Sequence, residues 1–117
     1  MTRGSWRFTA ISAFILSVNA FFNLPALAAQ KQTFTGEVSD AMCGRKHMPD
    51  EGTPAQCTRA CVAQGSKYSL IVGDKIYVLD TSDKTALATL DQQAGKTATV
   101  TGVLNADTIA VTSVAAK

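Results

Sequence analysis

All three cysteines and the single histidine of this 117-residue chain fall inside one stretch of nineteen residues, Cys43 to Cys61. Written as spacings, the stretch is C-x3-H-x9-C-x3-C, with Cys43, His47, Cys57 and Cys61 as its fixed points. Each of the four can present a thiolate sulfur or an imidazole nitrogen, and a Cys3His set is one that tetrahedral zinc accepts with no open position. Thiolates with Met42 or Met48 beside them suit Cu(I) equally, because that ion is soft. The spacing therefore nominates Cys43, His47, Cys57 and Cys61 as metal ligands and leaves the choice between zinc and copper open.

A second chemistry is available to the same residues. Cys43 can pair with Cys57 or Cys61 in a disulfide, which leaves one thiol over and His47 as a solvated loop residue. Closing a loop of about fifteen residues contributes roughly 3 kcal/mol through chain entropy. A bond between Cys57 and Cys61 is the least favoured pairing, since one helical turn lies near the upper limit of Cα separation for a disulfide. Catalysis has less to work with. A cysteine and a histidine can act as nucleophile and base, but nothing marks an oxyanion hole, no acid other than Asp40 stands ready to orient the base, and C-x3-C is not the C-x-x-C of thiol oxidoreductases. The chain is accordingly not read as an enzyme. Arg45, Lys46, Asp50, Glu51 and Arg59 read as a solvated face, Met42 and Met48 serve as packing as readily as ligands, and Tyr68 and Tyr77 read as sheet residues.

The elements that must position this chemistry can be read locally. Thr53-Pro54-Ala55-Gln56 is a helix start, with a capping threonine, a proline at the first helical position and a glutamine that completes a capping box. A helix over Pro54 to Gln64, stopped by Gly65, sets Cys57 and Cys61 on one face and offers Ala60 and Val62 for packing. Ser39 or Asp40 can cap a single turn that brings Cys43 and His47 to one side.

Around this insertion, residues 40–65, lies a run of strands. Thr33 to Val38 reads as the first, with Gly36 as a bend or bulge. Lys67–Val72 and Lys75–Leu79 are β-branched and aromatic runs joined by Gly73-Asp74, a hairpin signal. Leu87, Leu90 and Ala94 recur at helical spacing from Lys84 until Gly95, which predicts a short amphipathic helix. Thr97, Thr99 and Thr101 alternate with Ala98 and Val100, Gly102 suggests a bend, and Asn105–Asp107 turns into a fifth strand through Ile109 and Val111. The chain is thus mainly β. Five strands with one helix between the third and fourth predict a small barrel like the oligonucleotide/oligosaccharide-binding (OB) fold, with the Cys/His insertion after strand 1.

The first residues read as a secretory signal. Arg3 and Arg7 precede an apolar run over Phe8 to Leu24, then Pro25 and the small-x-small exit Ala26-Leu27-Ala28. Cleavage after Ala28 leaves one domain over residues 29–117, exported to the periplasm or the extracellular space and not held in a membrane. Charges in that remainder balance at nine of each sign, and its aromatics are Phe34, Tyr68 and Tyr77. Such a domain has neither the positive field nor the stacking platforms of a nucleic-acid binder. It is also small enough that a cross-link or a structural metal would add noticeably to its core.

The stretches G-E-V-S-D-A-M-C-G-R-K-H, C-T-R-A-C, G-S-K-Y-S-L-I-V-G-D-K-I-Y-V-L-D, A-T-V-T-G-V-L and T-I-A-V-T-S-V resemble a group of short exported bacterial proteins of unknown function. The order of strands is similar to that of periplasmic bacterial OB-fold proteins. Two functions follow as expectations. One is an exported module that binds zinc or copper through the Cys3His insertion; the other is a disulfide-stabilised OB-type domain that contacts a protein or glycan without metal.

Overall fold

The computed structural model describes residues 30–46 and 52–117. The signal expected over residues 1–28 and the proposed ligand His47 lie outside the described residues. Five strands and two helices follow in the order β1 (Lys31–Asp40), α1 (Pro54–Ala63), β2 (Tyr68–Val72), β3 (Lys75–Asp80), α2 (Lys84–Gln92), β4 (Thr97–Asn105) and β5 (Thr108–Ala116). The strands make one sheet, β1-β2-β3-β5-β4, whose last member pairs with its first and closes it into a ring. All neighbours are antiparallel except β3 and β5, which run parallel with Leu79 opposite Ile109.

Ring closure depends on β1, which serves two partners in succession. Lys31 to Glu37 pair with β4, and Glu37 to Asp40 pair with β2. Gly36 stands at the changeover, where a Cβ would lie 2.1 Å from the Ile71 carbonyl oxygen, so no larger residue fits without moving backbone. The changeover is made without a bulge at Gly36, the register with β4 running unbroken from Lys31 to Glu37. The strand extends beyond Thr33–Val38 at both ends, because Lys31 and Gln32 find partners on β4 while Ser39 and Asp40 find them on β2.

The hairpins turn where their residue types require. Gly73 takes φ 57 in the β2–β3 turn, the left-handed region that glycine enters without a Cβ penalty. In the β4–β5 turn the same region is occupied by Ala106 at φ 54, the sole non-glycine residue with positive φ among those described. A register shift falls between Thr101 and Gly102, where a Cβ on Gly102 would meet the Ala110 carbonyl oxygen at 2.3 Å. The threonine alternation survives in β4: Ala98 and Val100 are buried, while the hydroxyls of Thr33 and Thr101, and of Thr35 and Thr99, lie 3.3 Å apart on the outer face.

Asp83 caps α2, its Oδ2 accepting from the Ala86 amide at 2.9 Å. The helix ends at Gln92 rather than Ala94, because the chain turns there to join β1. Gly95 at φ 73 donates its amide to the Val38 carbonyl at 2.8 Å, and the Val38 amide donates to the Lys96 carbonyl at 2.9 Å. The expected stripe still faces the sheet, with Leu90 and Ala94 buried and Leu87 packed on the core. That core joins Val38, Tyr68, Leu70, Leu79, Leu90, Ala98, Val100 and Ile109, with Phe34 and Tyr77 tilted together at 5.5 Å beside it. No helix among the described residues is long and apolar enough to cross a membrane.

Candidate metal centre

The site is assembled from the end of β1, the turn after it, and the first two turns of α1. Asp40 is the last residue of β1 and is fully buried. Its Oδ2 accepts the backbone amides of Met42 at 3.0 Å and Cys43 at 2.8 Å, which folds residues 40–43 into a tight turn. The turn is fixed from two further directions: the Gly44 amide donates to the Asp40 carbonyl at 3.0 Å, and the Ser39 hydroxyl donates to the Gly44 carbonyl at 2.7 Å. Gly44 is buried and takes φ 56, and a Cβ at this position would lie only 3.1 Å from Ile76 Cδ1, so backbone angle and space both favour glycine. The single turn expected from Ser39 or Asp40 is present and carries Cys43, while His47, expected on the same side, lies outside the described residues.

Helix α1 begins as its first four residues dictate. Gln56 donates its amide to Thr53 Oγ1 at 3.3 Å, Thr53 donates its own to Gln56 Oε1 at 2.9 Å, and Pro54 occupies the first turn. The end is a Schellman arrangement at Gly65, φ 104, in which Ser66 donates to the Cys61 carbonyl at 3.1 Å and Gly65 to that of Val62 at 3.0 Å. One face carries Cys57, Thr58 and Cys61, all buried. Val62 packs on the core as expected, but Ala60 is exposed, since its position on the helix points away from the sheet.

Two contacts dock α1 on the neighbouring helix. Arg59 donates from Nη2 and Nε to the Asp91 carbonyl at 2.8 and 3.1 Å and lies 3.3 Å from the Asp91 carboxylate. Arg59 is therefore not merely a solvated charge: it meets the carbonyl end of α2, where a cation is favoured. The Tyr68 hydroxyl donates to the same carboxylate at 3.4 Å, and burial raises its pKa, with the Asp91 charge and hydrogen bond adding and Arg59 opposing. On the other side, the backbone of Ala55 comes within about a van der Waals contact of Gly95, where a Cβ would sit 3.0 Å from the Ala55 amide nitrogen. Arg45, by contrast, reaches from the turn to hydrogen-bond the Gly73 carbonyl.

These supports bring Cys43, Cys57 and Cys61 to one point. Cys43 Sγ lies 3.6 Å from Cys61 Sγ and 4.0 Å from Cys57 Sγ. None of the three is in a disulfide. With a carboxylate oxygen of Asp40, the three sulfurs form a set of four ligand atoms all within 4.8 Å of one another. Zinc–sulfur bonds of about 2.3 Å in a tetrahedron give sulfur–sulfur edges of about 3.8 Å, so the observed separations fit one ion held between the groups.

Burial pushes the Cys61 thiol up to about 12, with the Cys43 contact and the nearby Asp40 charge adding in the same direction. Left to protein groups alone, this sulfur stays protonated at neutral pH. A bound cation inverts that preference, because the thiolate it stabilises replaces the proton.

Three of the four ligands read from the spacing thus meet in space, and His47 lies outside the described residues. Asp40 is the group that the sequence offered as a turn cap or as an acid to orient a base, and not as a ligand. Its spacing to Cys43, D-x-x-C, carried the signal: a carboxylate that caps a turn with one oxygen has a second oxygen to place. No protein-family model, no curated protein and no solved structure matches this chain.

Proposed function

We propose that this protein is an exported OB-like module that binds a single zinc or copper ion in its insertion. The observation that carries the reading is the convergence of Cys43, Cys57 and Cys61 with the Asp40 carboxylate within 4.8 Å. The OB-like assignment is supported by the ring order β1-β2-β3-β5-β4, the parallel β3–β5 pair, and α2 between β3 and β4. Export is supported by the apolar run Phe8 to Leu24 and its Ala26-Leu27-Ala28 exit, and by the resemblance to short exported bacterial proteins. The metal's role is to hold the insertion against the ring, or to be carried by it.

Elemental analysis tests the reading on protein recovered from an exported, non-denatured source. About one zinc or copper per chain is expected, and single replacement of Cys43, Cys57 or Cys61 lowers both metal content and Tm. A metal-free native protein, with Tm indifferent to added zinc or copper, overturns it.

A disulfide-stabilised domain with a protein or glycan partner is the second reading. The 3.6 Å between Cys43 and Cys61 favours it, because a small approach of the sulfurs would allow oxidation in an oxidising compartment. A thiol count after chelation separates the two: three reactive thiols support the metal module and one supports the cross-linked domain.

A further inference from the structure

We propose that Asp40 is the fourth ligand of the site and that its carboxylate makes the site one for divalent zinc rather than Cu(I). The proposal rests on the metal-binding reading and sharpens it. Asp40 is fully buried, and its two oxygens have different surroundings. Oδ2 is satisfied by two backbone amides, while Oδ1, equally out of reach of solvent, has no hydrogen-bond partner among the described residues. A buried carboxylate oxygen left in that state costs roughly 1–3 kcal/mol or more. The cost disappears if the oxygen faces a cation, and the Asp40 carboxylate lies among the three cysteine sulfurs.

The two amides also act as an outer clamp. They fix the carboxylate plane and keep it from rotating away, as hydrogen-bonded ligating carboxylates are held at metal sites. One oxygen thus builds the turn that presents Cys43, and the other is left over to bind.

The ligand set then selects the ion. Zinc is a borderline acid that accepts sulfur and oxygen together in a tetrahedron, whereas Cu(I) prefers soft donors and gains little from a carboxylate. Charge points the same way. Three thiolates and a carboxylate leave a buried excess of negative charge that a divalent ion offsets further than a monovalent one. With Asp40 in place, four ligands are supplied by residues 40–61 without His47, and a closed structural site is complete.

Asp40→Asn keeps an oxygen able to accept the Met42 and Cys43 amides and replaces the other oxygen with an NH2 group that does not ligate. Competition titrations with zinc and with Cu(I), on the wild-type chain and on D40N, read the effect. D40N is expected to bind zinc about 100-fold or more weakly while Cu(I) affinity changes by less than about threefold. Zinc affinity within about threefold of wild type in a folded D40N overturns the proposal. Wild-type protein that binds Cu(I) but not zinc also overturns it and leaves the metal reading standing, whereas binding of neither ion removes both.

A measurement on the unaltered chain guards against a D40N variant that does not fold. In protein loaded with 113Cd and labelled with 15N-histidine, the absence of cadmium–nitrogen coupling to His47, together with a carbon shift at the Asp40 carboxylate on loading, is expected. Coupling to the His47 ring with an unmoved Asp40 carboxylate assigns the fourth position to His47 and ends the proposal.

Discussion

The ring and the insertion are held together by different physics. In the ring, each strand is paired on both sides, and Val38, Leu70, Val100 and Ile109 are fully buried against one another. Among the described residues between β1 and β2, the buried side chains are Cys57, Thr58 and Cys61, and order comes from caps, an aspartate turn and the docking of Arg59 on α2. Apolar burial scales with area and does not depend on a ligand. A cluster of polarizable sulfurs around a carboxylate gains its stabilisation mainly when a cation is present. The comparison teaches that the two regions should respond to different perturbations: the ring to lost volume, the insertion to lost metal.

Removing a ligand should break the comparison most sharply. Cys57→Ala is expected to weaken zinc binding by about 1000-fold or more. Hydrogen exchange would then show faster exchange over residues 41–46 and 54–63 with ring amides still protected. Loss of protection throughout the chain would show that the ring and the insertion are one cooperative unit. The reverse perturbation is Ile109→Ala, which removes a fully buried side chain between β4 and β3 and should cost about 2–5 kcal/mol in urea unfolding. Zinc stoichiometry of the folded fraction should stay unchanged.

Alkaline pH sharpens the comparison at the level of protons. In chelated protein the Cys61 thiol is raised in the folded state from 9.0 to about 12, so between these values the unfolded chain has released a proton that the folded chain retains. Stability of the metal-free protein is therefore full below about pH 9 and falls as pH rises toward 12, and the raised Tyr68 acts with the same sign. Zinc-loaded protein, whose thiol protons have already been displaced, should show a flatter profile over the same range. Urea midpoints at several pH values, with and without zinc, read the difference; parallel profiles would count against metal binding at Cys61.

The smallest effect is expected at the hairpin tip. Ala106→Gly relieves a left-handed conformation at φ 54 and should raise stability by about 0.5–1 kcal/mol without touching metal affinity. A fall in thermal midpoint would show that the turn tolerates Ala106 at no cost.

What the residues disclose before folding follows the same division. Strand alternation in β4, the Gly73 and Asn105–Asp107 turns, the Thr53–Gln56 capping box and the Gly65 stop are local signals, and each element appears where its signal stands. Boundaries moved only where tertiary pairing intervened, as when Val38 captured Gly95 and shortened α2. The convergence of Cys43 with Cys57 and Cys61 was legible as spacing because helical periodicity places Cys57 and Cys61 on one face. Asp40 was not legible as a ligand. Its type and position signal a cap; D-x-x-C marks that a second oxygen is left to place, but where that oxygen points depends on β2 and α1 closing around it, which no local pattern encodes.

The seam between β1 and β4 has a consequence for how the chain reaches this state. Thr33 and Thr101, neighbours across it, stand 68 residues apart in sequence, whereas the β2–β3 and β4–β5 hairpins join residues a few positions apart. Hairpins of that kind form in about 1–10 μs, while contacts of such long range set the slow pace of small barrels. The finished ring has no open edge, yet until the seam shuts both β1 and β4 expose unpaired amides and carbonyls to other chains. Vulnerability to misassembly thus belongs to the time before closure, and its duration is set by loop-closure entropy rather than by the stability of the native state.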